Sequence, residues 1–234
     1  MTQGWTIPDY NIRESRRARR MTIKVSSWTG LEVVVPVGFN RSHIAEFIQS
    51  KSRWIKNALE RSHPVEELKR PESIKLGLLN AIWSMGYCPS SENRVSVLEQ
   101  PGNVLLLTGP VRRPATVAVA LNQWLQKRAA RVLKPWLGRL GAELSLPFSR
   151  VSVRRQKTKW GSCSAEKSIS LNRNLLFLPE PLARYVLVHE LCNCRQLDHS
   201  EKFWDFLETF EPNARQTAAK VREASESVPR WAMV

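Results

Sequence analysis

"VLVHELCNCRQLDHSEKFW", Val186 to Trp204, decides how the chain is read. His189 and Glu190 are adjacent, and a further histidine, His199, follows after a short break. Residues four apart on an α-helix share a face. A helical H-E-x-x-H therefore aims two imidazoles at one metal ion and lets the glutamate reach a water beside it. This stretch spells that pattern except for its last letter, because Asn193 stands where the second histidine is required. Three readings are open on these residues alone: a metal site with one poor ligand, an inactivated enzyme, or a helix with a core-facing or solvated histidine.

The residues before it read as strand, loop and strand. "RVSVRRQ" (150–156) and "SISLN" (168–172) alternate apolar and polar residues, and "KTKWGSCSAEK" (157–167) joins them, which predicts a hairpin. Two helices are expected next, Glu180 to about Gln196 and Ser200 to about Phe210, with Ser200 as N-cap and Pro212 as stop. From Asn213 one more exposed helix and a ragged end are expected. Before residue 150, Pro114 to about Leu144 has helical spacing in Trp124, Leu125, Val132, Leu133 and Leu137, and Pro135 should kink or divide it.

Nearer the N-terminus, "MTIKVSS" (21–27) and "LEVVVP" (31–36) flank "WTG" (28–30) as a hairpin. Residues 40–63 predict a helix on Ile44, Phe47, Ile48, Trp54, Ile55 and Leu59, capped by Asn40 or Ser42, and "HPVEELKRPES" (63–73) is a linker. "NRVSVLEQPGNVLLLTGP" (93–110) predicts two strands around a Pro-Gly turn. The expected organisation is 1–72 as hairpin plus helix, 73–113 as a β-rich segment, 114–212 as the core, and 213–234 as a helical tail.

The chain has 234 residues, 42% hydrophobic and 24% charged, which describes a folded protein with a sizeable core. No apolar run approaches the roughly 18 residues of a membrane span, and the N-terminus lacks the apolar region of a secretory signal. Four cysteines, Cys88, Cys163, Cys192 and Cys194, form no paired CxxC knuckles. Free thiols and a cytoplasmic location are expected. A formal net charge of +15 favours anionic partners without choosing among them.

"RRQKTKWGSCSAEKSISLNRNLLFLPEPLARYVLVHELCNCRQLDHSEKFW" (154–204) closely resembles the signature of the YgjP-like metallopeptidase family. That signature runs R-x-x-K-x-x-W-G-S-C-S, a strand ending in an L-N step, a proline, Y-V-x-x-H-E-L-x-H, then N/D-H-S and F-W. "RRARRMTIKV", "VVVP" and "FIQSKSRWI" resemble the family's leading hairpin and helix, so the likeness covers about residues 10 to 212. SprT-type proteases share the H-E-x-x-H helix and a third histidine more distantly. The resemblance implies an α+β fold: a zincin-like metallopeptidase core, sheet followed by active-site helix, with a smaller β-rich N-terminal part. It implies zinc as cofactor, His189 and His199 as ligands, and Glu190 as general base.

Position 193 departs from that family, which has a histidine ligand there. Asparagine offers only a weakly donating carboxamide oxygen, whereas zinc prefers nitrogen and sulfur, then carboxylate oxygen. Loss of an outer-shell partner already costs about 10–100-fold in metal affinity or activity, so loss of a ligand costs at least that. Cys192, three residues after His189, is a possible substitute ligand, although the family tolerates small residues there, as core packing would require. Cys194 is expected to be structural or idle. One base change converts a histidine codon to asparagine, so natural decay, deliberate knockout and a sequencing slip are all open. The intact Glu190, His199, Trp160 to Ser164 and Phe203-Trp204 point to recent or deliberate impairment.

Arg150, Arg154, Arg155, Lys157 and Lys159 place five cations and no acid beside the proposed active helix. Arg154, Arg155 and Trp160 are the candidate substrate-binding residues, set against a solvated basic strand edge. "SISLN" could pair with an extended peptide, though such a strand is more often interior. Arg13, Arg16, Arg17, Arg19 and Arg20 form a second basic cluster, suited to salt-dependent phosphate contact without base readout. Trp28, Trp54, Trp160 and Trp204 are expected in the core rather than as base-stacking platforms. Tyr185 flanks the site or only packs.

Three functions follow: a zinc-dependent hydrolase of peptidase type, impaired by Asn193; a catalytically silent relative binding nucleic acid or protein through its basic face; and a metal-dependent hydrolase of anionic nucleotides. The partners are accordingly a peptide or protein substrate, an anionic nucleotide, or non-specific nucleic acid, with no membrane. Oligomeric state is not legible.

Overall fold

The computed structural model describes residues 7–8, 10–16, 18–26, 30–61 and 69–233. The expected turn with Trp28, Arg17, the linker residues 62–68 and the Leu59 side chain lie outside the described residues. The chain divides into two units, Met1–Lys69 and Arg70–Val234.

In the first unit β1 (Tyr10–Glu14), β2 (Thr22–Ser26) and β3 (Gly30–Val35) form a sheet ordered β1-β3-β2. β2 and β3 pair antiparallel with Ile23 opposite Val33, which is the expected hairpin. β1 joins the other edge parallel to β3, Ile12 opposite Val33. Sequence reading missed β1 because "YNIRE" alternates only two apolar residues, Tyr10 and Ile12, in a stretch crowded with charge. Leu31, Val33 and Val35 alternate into the core, as the two-residue period of a strand requires.

Asn40 opens the helical part: its Oδ1 accepts the Ser42 N–H at 3.0 Å. The expected single helix is two, α1 (Ile44–Ser50) and α2 (Ser52–Arg61), separated at Lys51. Ile44, Ile48 and Ile55 are buried against the three strand residues. Trp54 is 52% exposed, which corrects its assignment to the core. It stands one residue, about 100° of helical turn, from the Ile55 stripe.

The second unit begins with β4 (Ser73–Leu76), β5 (Ala81–Pro89), β6 (Ser96–Gln100) and β7 (Val104–Gly109), in the order β4-β5-β7-β6. β6 and β7 are the expected hairpin, with Gly102 taking φ +78° at its turn. α3 (Pro114–Glu143) follows, and Pro135 lies inside it without dividing it. Leu121, Leu125, Leu133 and Leu137 are fully buried along it.

β8 (Arg150–Arg154), β9 (Gly161–Cys163) and β10 (Ser168–Asn172) form the third sheet, in the order β8-β10-β9. This corrects the expected hairpin: β8 and β10 run parallel, Val151 opposite Ile169. The connection carries β9, which pairs antiparallel with β10 on its other edge. Alternation shows that both segments are strands but says nothing of their relative direction.

α4 (Glu180–Asn193) packs against α3, β9, β10, α5 (Glu201–Glu208) and α6 (Ala214–Glu223). It is covered nearly all round, as its almost continuous apolar sequence requires. Ser200 takes the extended N-cap conformation of α5, but its hydroxyl bonds Asp198 (3.2 Å) and Gln196 (3.0 Å) instead of capping. The tail is not a single exposed helix. After α6 comes α7 (Arg230–Met233), with Trp231 and Ala232 buried and Trp231 edge-on to Phe177 at 5.9 Å. No helix among the described residues is long and apolar enough to cross a membrane.

Candidate functional site

α4 brings His189 and Glu190 to one wall of a cleft of about 320 Å³. Six residues beyond its end the chain has turned back and delivers His199 to the same cleft. The two Nε2 atoms are 3.1 Å apart and the rings stack at 5.2 Å. Phe203, fully buried on α5, fixes both: its ring meets His189 edge-on at 5.0 Å and His199 at 4.7 Å. The Tyr185 hydroxyl lies 3.5 Å from His189 Nδ1, so Tyr185 flanks the site. Burial, then the neighbouring His199, pushes the His189 pKa down to about 4, so this imidazole is neutral at physiological pH.

Glu190 faces inward and is 5% exposed. Burial raises its pKa to about 7, against the lowering effects of the Asn193 hydrogen bond and the Lys159 charge. A carboxyl titrating near neutrality suits proton transfer, since it can both take and return a proton at working pH. The space it occupies exists because residue 161 is glycine: a β-carbon there would stand 2.6 Å from Glu190 Oε1. Sequence reading placed Gly161 in the connection between two strands, without a role; its place at the start of β9, the kind of strand glycine that marks a close approach, emerges only in the folded chain.

Asn193 sits one turn after His189, where the sequence pattern requires a ligand. Its Nδ2 donates to Glu190 Oε2 at 3.3 Å, and its Oδ1 is buried without a hydrogen-bond partner. Two ligands of a tetrahedral zinc ion stand about 3.3 Å apart, so the His189–His199 pair has a suitable bite. The set nevertheless stops at two imidazoles. Among the described residues no group of three His, Cys, Asp or Glu side chains could hold a metal ion. Cys192 is fully buried and does not complete one. The residues present do not fit a zinc centre.

Of the candidate substrate residues, Trp160 lines this cleft, and its Nε1 donates to the Val221 carbonyl at 3.0 Å. Trp204 lines it too, half-buried under the Arg215 guanidinium at 4.9 Å. Arg155 lines a different hollow, with Lys127 and Arg173. Arg154 is exposed at the end of β8. Arg222, which lines the cleft, and Phe203, buried against both imidazoles, were given no role by sequence reading, because contact across α4, α5 and α6 has no local signature.

A family model described as "YgjP-like, metallopeptidase domain" matches residues 19–224. No curated protein matches the chain. Among solved structures, the crystal structure of the metallopeptidase zymogen of Pyrococcus abyssi abylysin aligns at 25% identity over 38% of this chain and 90% of that one, with a TM-score of 0.34. That overlap is too small to bear on the present fold. The family match spans both units and contains the His189–Glu190 helix, Gly161 behind it and His199 opposite. The chain belongs to the YgjP-like metallopeptidase family.

Proposed function

We propose that this chain is a cytoplasmic metallohydrolase of peptidase type, ancestrally zinc-dependent, in which Asn193 impairs metal binding and turnover. The observation that carries this reading is the 3.3 Å hydrogen bond from the Asn193 carboxamide to Glu190. The residue in the ligand position is neutral, and it is occupied with the group that would act as general base. His189 and His199 would be the remaining metal-binding residues, Glu190 the proton-transfer group, and Trp160 a wall for the substrate.

Metal content of the purified chain beside Asn193→His tests this. About one zinc per chain is expected only after restoration, with affinity at least 10–100-fold higher than in the parent. Equal, stoichiometric zinc in both proteins would sink the reading.

One observation favours a second reading, a catalytically silent chain kept for anion binding. The hollow at Lys127, Arg155 and Arg173 collects three cations, and the buried Arg173 guanidinium meets only carbonyl oxygens. Binding of single-stranded nucleic acid that falls steeply with salt, with no hydrolysis by either protein above, would support it. Nucleoside triphosphate turnover that requires Glu190 would instead favour an anionic nucleotide as substrate.

A further inference from the structure

Cys163 and Cys194 lie 31 residues apart in sequence, and their Sγ atoms lie 3.1 Å apart in a thiol–thiol hydrogen bond. They come from separate elements. Cys163 ends β9, where it pairs opposite Ile169, and is half-buried. Cys194 follows the last residue of α4, is 9% exposed, and is held by its N–H on the Leu191 carbonyl at 3.0 Å. All four cysteines are free thiols. A disulfide S–S bond is about 2.05 Å long, so these two sulfurs need approach by only roughly 1 Å.

We propose that Cys163 and Cys194 are a redox-modification site that closes to a reversible disulfide with a low-molecular-weight disulfide such as oxidised glutathione. Cys163 is the entry point because it is the more exposed of the two. Its thiolate attacks one sulfur of the oxidant, the oxidant's S–S bond breaks, and one glutathione thiolate leaves and takes up a proton. The Cys194 thiolate then attacks Cys163 Sγ and displaces the second glutathione. Two protein thiols are oxidised by two electrons, and one glutathione disulfide is reduced to two glutathione thiols.

Burial raises the pKa of Cys163 and pushes that of Cys194 up to about 12. Because the thiolate is the nucleophile, exchange is slow at neutral pH and quickens as pH rises. Cys192 is fully buried and stays out of the exchange. The bridge would tie β9 to the end of α4, two residues past Gly161 and four past Glu190. Closing the 163–194 loop restricts the unfolded chain, so the oxidised form should melt higher by roughly 5–10 °C. This inference does not depend on metal binding.

The test uses the full chain with Cys88→Ser, since Cys88 is exposed and would react separately. The protein is incubated with oxidised glutathione at mildly alkaline pH, alkylated, digested and mapped by mass spectrometry. A cross-link between residues 163 and 194 is expected, with the rise in melting temperature. Adding Cys194→Ser should stop the reaction at one glutathionyl group on Cys163. Adding Cys163→Ser should leave Cys194 unmodified, and adding Cys192→Ala should leave the bridge intact. Full alkylation of both thiols after treatment, or glutathione retained on Cys163 with Cys194 present, would overturn the proposal. So would a cross-link through Cys192. The map of the folded Cys88→Ser protein decides even if a buried-cysteine variant fails to fold.

Discussion

Gly161 leaves open the space that the Glu190 carboxylate fills, and a β-carbon at 161 would stand 2.6 Å from Oε1 and 2.7 Å from Cγ. The tolerance is set by a side chain from another element, so the glycine and the glutamate form a matched pair. Gly161→Ala should destabilise the protein by about 1–3 kcal/mol, the cost of overpacking. Urea denaturation checks this. In the Glu190→Ala background the same substitution should cost less, and additive losses would show that the two do not meet in solution.

Phe203 is the shared support of both imidazoles. It is fully buried and touches each ring edge-on. Phe203→Ala should cost about 3–5 kcal/mol, and Phe203→Leu clearly less. The imidazole proton resonances of His189 and His199 should both shift in Phe203→Leu. A shift confined to one ring would contradict the shared contact.

Asn122 links α3 to the C-terminal helix: its Nδ2 donates to the Trp231 carbonyl at 2.6 Å, and its Oδ1 accepts from Arg173 Nη2. Asn122→Ala should leave buried polar groups on both partners unsatisfied and cost about 1–3 kcal/mol. Hydrogen exchange at residues 230–233 should accelerate more than at β5 and β7. Uniform acceleration would instead mean a global loss.

Tyr87 donates its hydroxyl to the Pro71 carbonyl at 2.6 Å, and burial pushes its pKa up to about 12, against a lowering effect from Arg70. The neutral phenol is thus favoured in the folded state. Its contribution is fully present below the ordinary tyrosine value near 10 and is lost as pH rises from there through about 12. Urea midpoints measured across that window should fall, and Tyr87→Phe should flatten the fall. Part of the slope should remain, because burial holds Tyr185 near the same value. An unchanged slope in Tyr87→Phe would refute the assignment.

Much of this was legible in the chain. The alternation in 21–35 and 93–110 marked strands because a sheet face repeats every two residues. The His-Glu pair was legible because a helix converts sequence spacing directly into a shared face. His199, outside that helix, was legible only through the break at "QLD" and the family resemblance. Trp54 misled because apolar character alone does not say which side of the Ile44–Ile48–Ile55 stripe a residue occupies. The parallel course of β8 and β10 was hidden because strand direction depends on the route of the connection, here through β9.

What the sequence determined by itself was local: which segments are helix or strand, which family pattern they spell, and that position 193 breaks it. The tertiary structure decided what those residues touch. It turned the Asn193 amide onto Glu190, left its oxygen unpartnered, and sent Cys192 into the core. It also set Arg155 in another hollow and brought Cys163 to Cys194. The physical reason is that hydrogen bonds, burial and packing act over a few ångströms in space, between groups that a linear pattern leaves tens of residues apart.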